Sequence, residues 1–363
     1  MLSTLACVAC SSPTKPPEGS PYLTTVNLPL ALAGIGDARQ PFATWFEQEL
    51  AADGSVSQKA AAVWLWGAAP GAVSGYALRQ TLQAAFVARA PSTSVLVVPG
   101  LFGDCFGDQS VPYGDGLLRT REASLTEAYR QYDDLGLLGV RALSVPGRAS
   151  SAANGSLLAD AIRSEAARPG VVRIVIVAYS KGVADALHAL AQLQAEGGVP
   201  PAVTALVSIA GVIMGTPLAD QLDDVFRSLS PLVQPFGCSA SEGLEVASVT
   251  RRERAAWLAK NPPPAGVRYY SIVAHAPRDE IAWALRPSYA LLSAGDLRND
   301  GQLYASDSIL PGSVLLAEAR ADHWDVALPR DRHPSPAMRA LTSGRAYPRE
   351  ALFRAVVKWV VGS

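Results

Sequence analysis

The sequence predicts an α/β fold, a mostly parallel central sheet with helices on both faces, and three observations carry that expectation. Short apolar runs rich in β-branched residues alternate with stretches of helical periodicity along most of the chain. The run from Val171 to Ala178 is apolar at nearly every position, the pattern of a strand covered on both sides rather than one facing water. The 363 residues are 49% hydrophobic and 17% charged, ample apolar material for a large core and far from a disordered composition.

Taken in order, "MLSTLACVACSSPTKPPEGSPY" begins apolar and small and becomes a Ser/Pro/Lys/Gly linker. It reads either as the end of a lipoprotein signal, with Cys7 or Cys10 lipidated and the chain tethered to an envelope membrane, or as a plain tail over 1–20 of a cytoplasmic protein. The folded domain is expected over 21–363. Strands are expected at 23–32, 62–66, 94–98, 140–145, 172–178, 202–210, 267–275 and 313–319. Helices fill most gaps, among them 156–168 and 349–361. One gap is long enough to hold an insertion, placed at 214–265. Within it Leu218, Leu222, Val225, Phe226, Leu229 and Val233 recur at three- and four-residue steps, one apolar stripe on a helix. That stripe suits a packed crossover helix and equally a cap whose apolar face meets substrate.

Several classes are excluded. A net charge of −1 with dispersed Lys and Arg gives no reason to expect nucleic acid. No apolar run approaches the roughly 18 residues of a membrane-spanning helix. The four cysteines, Cys7, Cys10, Cys105 and Cys238, lack the two-pair spacing of a zinc site. In an exported chain Cys105 and Cys238 could pair; otherwise they are separate thiols.

The stretch "VVRIVIVAYSKGVADALHAL", residues 171–190, holds the chemistry. A buried strand breaks at Tyr-Ser-Lys-Gly, and helical spacing resumes at Val183, Leu187, Leu190 and Ala191 until Gly197-Gly198. Strand, sharp turn and helix would present Ser180 at the tip, with Ala178 and Gly182 as the small residues that let strand and helix approach. A serine hydroxyl is a weak nucleophile and needs a base and a pocket for an oxyanion. The Lys181 N–H, opening the helix, is one expected oxyanion donor. "SVLVVPGLFGDCFGD" supplies the other after an earlier strand, at Leu101 with Phe102 as its neighbouring candidate. That Gly-rich loop lacks the endings of phosphate-binding loops.

Four histidines compete for the base. His188 lies inside the helix after the turn, His275 ends a strand with no acid arranged for it, and His333 sits in a polar turn. His323 follows the last core strand, where its loop would hang over Ser180, and is the expected base. The acid that orients it should lie between serine and histidine in sequence, at Asp300 in "NDG" or at Asp279 in "HAPRDE". Sequence physics leaves both open.

Pro99-Gly100-Leu101, Ala178-Tyr179-Ser180-Lys181-Gly182, Gly215-Thr216-Pro217-Leu218-Ala219-Asp220, Asn299-Asp300-Gly301 and Asp322-His323 together resemble bacterial lipases and esterases of the α/β-hydrolase family. The likeness covers about 95 to 330 and departs at Pro99, where such lipases carry His, and at Ala178. In those enzymes an "NDG" aspartate a little over twenty residues before the histidine is the triad acid, which favours Asp300. The chain is also similar to bacterial α/β hydrolases carrying "YSKG", "RND" and "ADHW", a likeness that implies the fold and no particular substrate. The expectation is a Ser180–His323–Asp300 hydrolase of small-molecule or lipid carboxylic esters, needing no metal or organic cofactor. The alternatives are an acyltransferase or thioesterase on the same three residues, or a binding protein that keeps only the fold.

Overall fold

Val175, Val177 and Tyr179 point to one face of their strand and Ile174, Ile176 and Ala178 to the other, and each set joins a different buried cluster. That period-two split of a continuous apolar run requires helices on both faces. The computed structural model describes residues 34–68, 76–101, 135–143, 145–221, 244–328 and 345–363. Its sheet has seven strands: β1 (Gly36–Asp37), β2 (Thr93–Val98), β3 (Gly139–Ala142), β4 (Arg173–Tyr179), β5 (Val203–Ile209), β6 (Arg268–Ala274) and β7 (Val314–Ala319). They lie in the order β1-β7-β6-β5-β4-β2-β3, and every pair is parallel.

Helices α1 (Arg39–Ala52), α2 (Tyr76–Arg89) and α7 (Arg349–Gly362) cover one face, and α3 (Ser151–Ala166) and α4 (Lys181–Ala195) the other. On the first face Trp359 meets Phe42 and Trp45 edge-on, with ring centroids 5.8 and 6.3 Å apart. Fully burying each such side chain contributes about 1.5–3 kcal/mol, so this layer anchors the sheet that carries the site. Two further helices, α5 (Arg251–Lys260) and α6 (Arg286–Leu292), lie beyond β5 and β6 in sequence. Thr250 caps α5 by accepting the Glu253 N–H at 3.2 Å. Among the described residues no helix is long and apolar enough to cross a membrane.

Several expectations shift. Residues 62–66 are not a strand: Ala61–Val63 form a 3₁₀ turn, and Leu65 makes a single antiparallel bridge to Ala319. The indole nitrogens of Trp64 and Trp66 are drawn to the carbonyls of Gln58 and His275, both at 2.9 Å. Those side-chain bonds hold the segment across the end of β7 instead of along it. The helix expected at 156–168 starts at Ser151, where Ser150 accepts the Ala153 N–H at 3.2 Å. Gly155 is a contact and not a breaker, since a Cβ there would lie 2.6 Å from the Cβ of His188 on α4. The strand expected at 23–32, the tail with Cys7 and Cys10, Cys105, Cys238, Phe102, His333 and most of the apolar stripe from Leu222 onward lie outside the described residues.

Candidate active site

The turn after β4 lies at the carboxyl edge of the sheet and holds Ser180 in a strained backbone. Ser180 has φ 54° and ψ −128°, a backbone that a side-chain-bearing residue rarely adopts and that surrounding contacts must hold. The Ser180 N–H donates to the Ile209 carbonyl at 3.1 Å, and the Ser180 carbonyl accepts the Val212 N–H at 3.0 Å. Gly182 is compulsory, because a Cβ there would sit 2.2 Å from the Pro99 carbonyl oxygen. Gly100 is nearly as constrained, its absent Cβ being 3.0 Å from that of Ser180. Ala178, fully buried beneath the turn, has room for its methyl. The loop after β2 therefore packs directly on the turn, and the Leu101 and Lys181 residues line one cavity with Ser180 and His323. Lys181 opens α4, so its N–H has no intrahelical acceptor.

His323, Asp300 and Ser180 come together in series. His323 Nε2 lies 2.8 Å from Ser180 Oγ, and His323 Nδ1 lies 2.7 Å from Asp300 Oδ2. All three are buried, with Ser180 at 7% exposure, the most open of them. The other Asp300 oxygen accepts the N–H groups of Gln302 and Leu303 at 2.8 and 2.7 Å. One Asp300 oxygen is thus occupied by backbone N–H groups, leaving Oδ2 for the imidazole. "NDG" builds this turn: the Asn299 side chain accepts the Gly301 N–H at 3.1 Å, and Gly301 takes φ 89°. The Asp300 carbonyl accepts the His323 N–H at 2.9 Å, tying the two loops together.

Two residues without an assigned role in the sequence reading hold the histidine from behind. Tyr179 donates its hydroxyl to the His323 carbonyl at 2.7 Å. Asp322 accepts the N–H groups of Ala282, Trp324 and Asp325 at 2.7, 2.9 and 2.8 Å, fixing the turn that carries His323. Burial pushes the Asp322 carboxyl up to about 6, against those three backbone bonds and with the Asp300 charge adding to the rise. The adjacency of Asp322 to His323 and of Tyr179 to Ser180 was the only sequence signal for either.

The competing candidates fall elsewhere. Asp279 is exposed in the turn Arg278–Glu280 and bonds no histidine among the described residues. His188 stacks on Trp257 with centroids 4.2 Å apart; burial, with the charges of Arg254 and Lys181, drives it down to about 3. His275 stacks flat on Trp66 and lies 3.4 Å from Glu318. Among the described residues no group of three or more His, Cys, Asp or Glu is arranged to hold a metal.

Beside Ser180 and His323 opens a cavity of about 240 Å³. Its walls are mainly apolar: Val212 after β5, Leu218 and Ala219, Val246 and Val249, and Leu303. Four of these, Leu218, Ala219, Val246 and Val249, belong to the 214–265 segment, which is how that segment meets the site. Thr216 anchors it, its N–H donating to Val249 and its hydroxyl to the Gln302 carbonyl at 2.6 Å.

No protein-family model matches the chain, and no curated protein matches it in sequence. Solved structures do. The metagenomic carboxyl esterase MGS0156 is 28% identical, with 93% of this chain and 96% of that one covered at a TM-score of 0.74. The mature Bacillus licheniformis lipase BlEst2 is 17% identical, with 74% and 92% covered at a TM-score of 0.50, and shares the fold. The first likeness takes in both chains almost whole, sheet and surrounding helices together. The chain is an enzyme of the α/β-hydrolase superfamily, and its structural neighbours are esterases and lipases.

Proposed function

We propose that the protein hydrolyses carboxylic esters through Ser180, with His323 as base and acid and Asp300 as the residue that orients the imidazole. The observation that carries this reading is the unbroken series Ser180 Oγ, His323 Nε2, His323 Nδ1, Asp300 Oδ2, at 2.8 and 2.7 Å. In the first half-reaction His323 takes the Ser180 proton as Oγ attacks the acyl carbon, and the Leu101 and Lys181 N–H groups receive the oxyanion. The imidazolium then protonates the departing alcohol, leaving an acyl-serine. Water enters, gives its proton to His323 and attacks the acyl carbon. Collapse of the second tetrahedral species returns that proton to Ser180 and releases the acid.

The fold alone would not support this, since α/β scaffolds carry many functions. The residues at the carboxyl edge support it, as does the likeness of the whole chain to a carboxyl esterase. The apolar cavity favours uncharged acyl groups over highly charged substrates, with Leu218, Ala219, Val246 and Val249 forming part of its wall. A fluorophosphonate probe and a panel of nitrophenyl esters test the proposal. Labelling and turnover by the native chain, both lost in Ser180→Ala, are expected; labelling that survives in Ser180→Ala would defeat it. An acceptor alcohol that captures the acyl group faster than water would reassign the same residues to acyl transfer.

A further inference from the structure

Immediately behind the turn lies a buried charge cluster that the proposed reaction does not use. Lys181, Asp185 and His188 occupy one face of α4, at spacings of four and three residues. Lys181 is 2% exposed, and its Nζ lies 2.7 and 2.9 Å from the two oxygens of Asp185. Asn154 of α3 donates its amide to the same carboxylate at 2.8 Å. From the 214–265 segment, α5 sets Arg254 against this face, fully buried, its Nε donating to the Ile213 carbonyl at 3.1 Å. The terminal guanidinium nitrogens of Arg254 have no hydrogen-bond partner, and the negative charge acting on it from α4 is Asp185. One carboxylate thus faces two buried cations from two elements.

A buried ion pair is weak evidence for stability, because desolvation offsets its attraction. Its location gives it another use. The peptide joining Ser180 to Lys181 presents the proposed oxyanion donor, and it departs from a strained φ of 54°. Misplacing such a donor by about 1 Å can cost about a hundredfold in rate. The Lys181 side chain, clamped one turn down its own helix by two bonds to Asp185, adds a second hold on that peptide to the Val212 N–H bond at its carbonyl. Arg254 belongs to α5, which follows directly on pocket residues Val246 and Val249.

We propose that Asp185 is the positioning residue of the oxyanion hole: by holding Lys181 and attracting Arg254, it fixes the donor N–H and docks the pocket wall against the same helix. This rests on the reading of Ser180 as nucleophile and the Lys181 N–H as oxyanion donor. The test is steady-state hydrolysis of p-nitrophenyl butyrate by Asp185→Asn, Asp185→Glu and the uncharged pair Lys181→Met/Asp185→Leu, with melting curves for each. Asp185→Asn is expected to lower kcat about tenfold or more with KM changed less than about twofold, and Asp185→Glu to recover part of kcat. The uncharged pair, made together with Arg254→Met so that no buried cation is left without its carboxylate, is expected to melt near the wild type and still to show the fall in kcat. It decides the matter if Asp185→Asn does not fold. Wild-type kcat in a folded Asp185→Asn or in the uncharged pair, or a loss confined to KM, overturns the proposal alone. A wild type that neither turns over the ester nor takes up fluorophosphonate overturns the hydrolase reading and this proposal with it.

Discussion

His323 and His275 sit at the carboxyl ends of neighbouring strands β7 and β6, both buried and both beside a carboxylate, yet only one is built to move a proton. His323 has a partner on each ring nitrogen, Asp300 at 2.7 Å and Ser180 at 2.8 Å. His275 has Glu318 at 3.4 Å on Nε2 and nothing on Nδ1. The acids differ in the same sense. Asp300 turns one oxygen to backbone N–H groups and keeps the other for the imidazole, whereas Glu318 also pairs with Arg39. His275 lies flat on Trp66, centroids 5.2 Å apart, as a packing surface. A histidine near an acid is therefore no site by itself; the hydroxyl on the far nitrogen and an acid not shared with a cation make the difference.

Removing each imidazole should expose that contrast most strongly. Replacement of His323 by Ala is expected to lower kcat by about 10⁶, the scale of losing the base in serine hydrolases. His275→Phe should leave kcat within about threefold, because the imidazole it replaces is a packing surface on Trp66 and bonds neither Ser180 nor Asp300. The acids come next. Asp300→Asn should cost about 10⁴ in kcat with KM little moved, since the wrong tautomer is then favoured. Glu318→Gln should instead lower stability by about 1–3 kcal/mol in urea titrations with kcat intact. Equal losses of kcat in the paired variants would erase the distinction.

Smaller effects sharpen it. Tyr179→Phe removes the hydroxyl bond to the His323 carbonyl, about 1 kcal/mol, and should reduce kcat less than about tenfold. The third described histidine should be visible only in stability against pH. His188 titrates near its ordinary 6.5 when unfolded and at about 3 when folded. The unfolded chain alone therefore gains a proton as pH falls through that window, and stability is lost. Asp322 acts oppositely: raised to about 6 from 3.8, it favours the folded state as pH falls between those values. His188→Phe, which keeps the stack on Trp257, should flatten the acid decline between pH 6.5 and 3, read from urea midpoints. An unchanged decline would place the acid sensitivity in other groups.

Much of the scaffold was legible because its signals are local. The strand from Arg173 to Tyr179, the break at Ser180 and the glycine stop after α4 follow from an apolar run, small residues flanking the serine and the pair Gly197-Gly198, each readable within a few residues. Segment 62–66 misled because two tryptophans mimic strand composition while their indole nitrogens bond one nearby carbonyl, Gln58, and one far along the chain, His275. The two-residue strand at Gly36–Asp37 has no periodicity to read. The helix expected from 156 runs back through Gly155 to Ser151, and only the approach of His188 explains a glycine there.

By itself, then, the sequence determined the alternation of strands and helices, the position of the turn at Ser180 and a short roster of residues able to do acid–base chemistry, since these depend on neighbours in the chain. Tertiary structure alone decided which histidine meets Ser180, which acid keeps an oxygen free, and that Asp185 gathers Lys181, Asn154 and Arg254. Those pairings join residues up to 143 positions apart, and hydrogen-bond distances of that kind are set by how packed layers converge rather than by spacing along the chain.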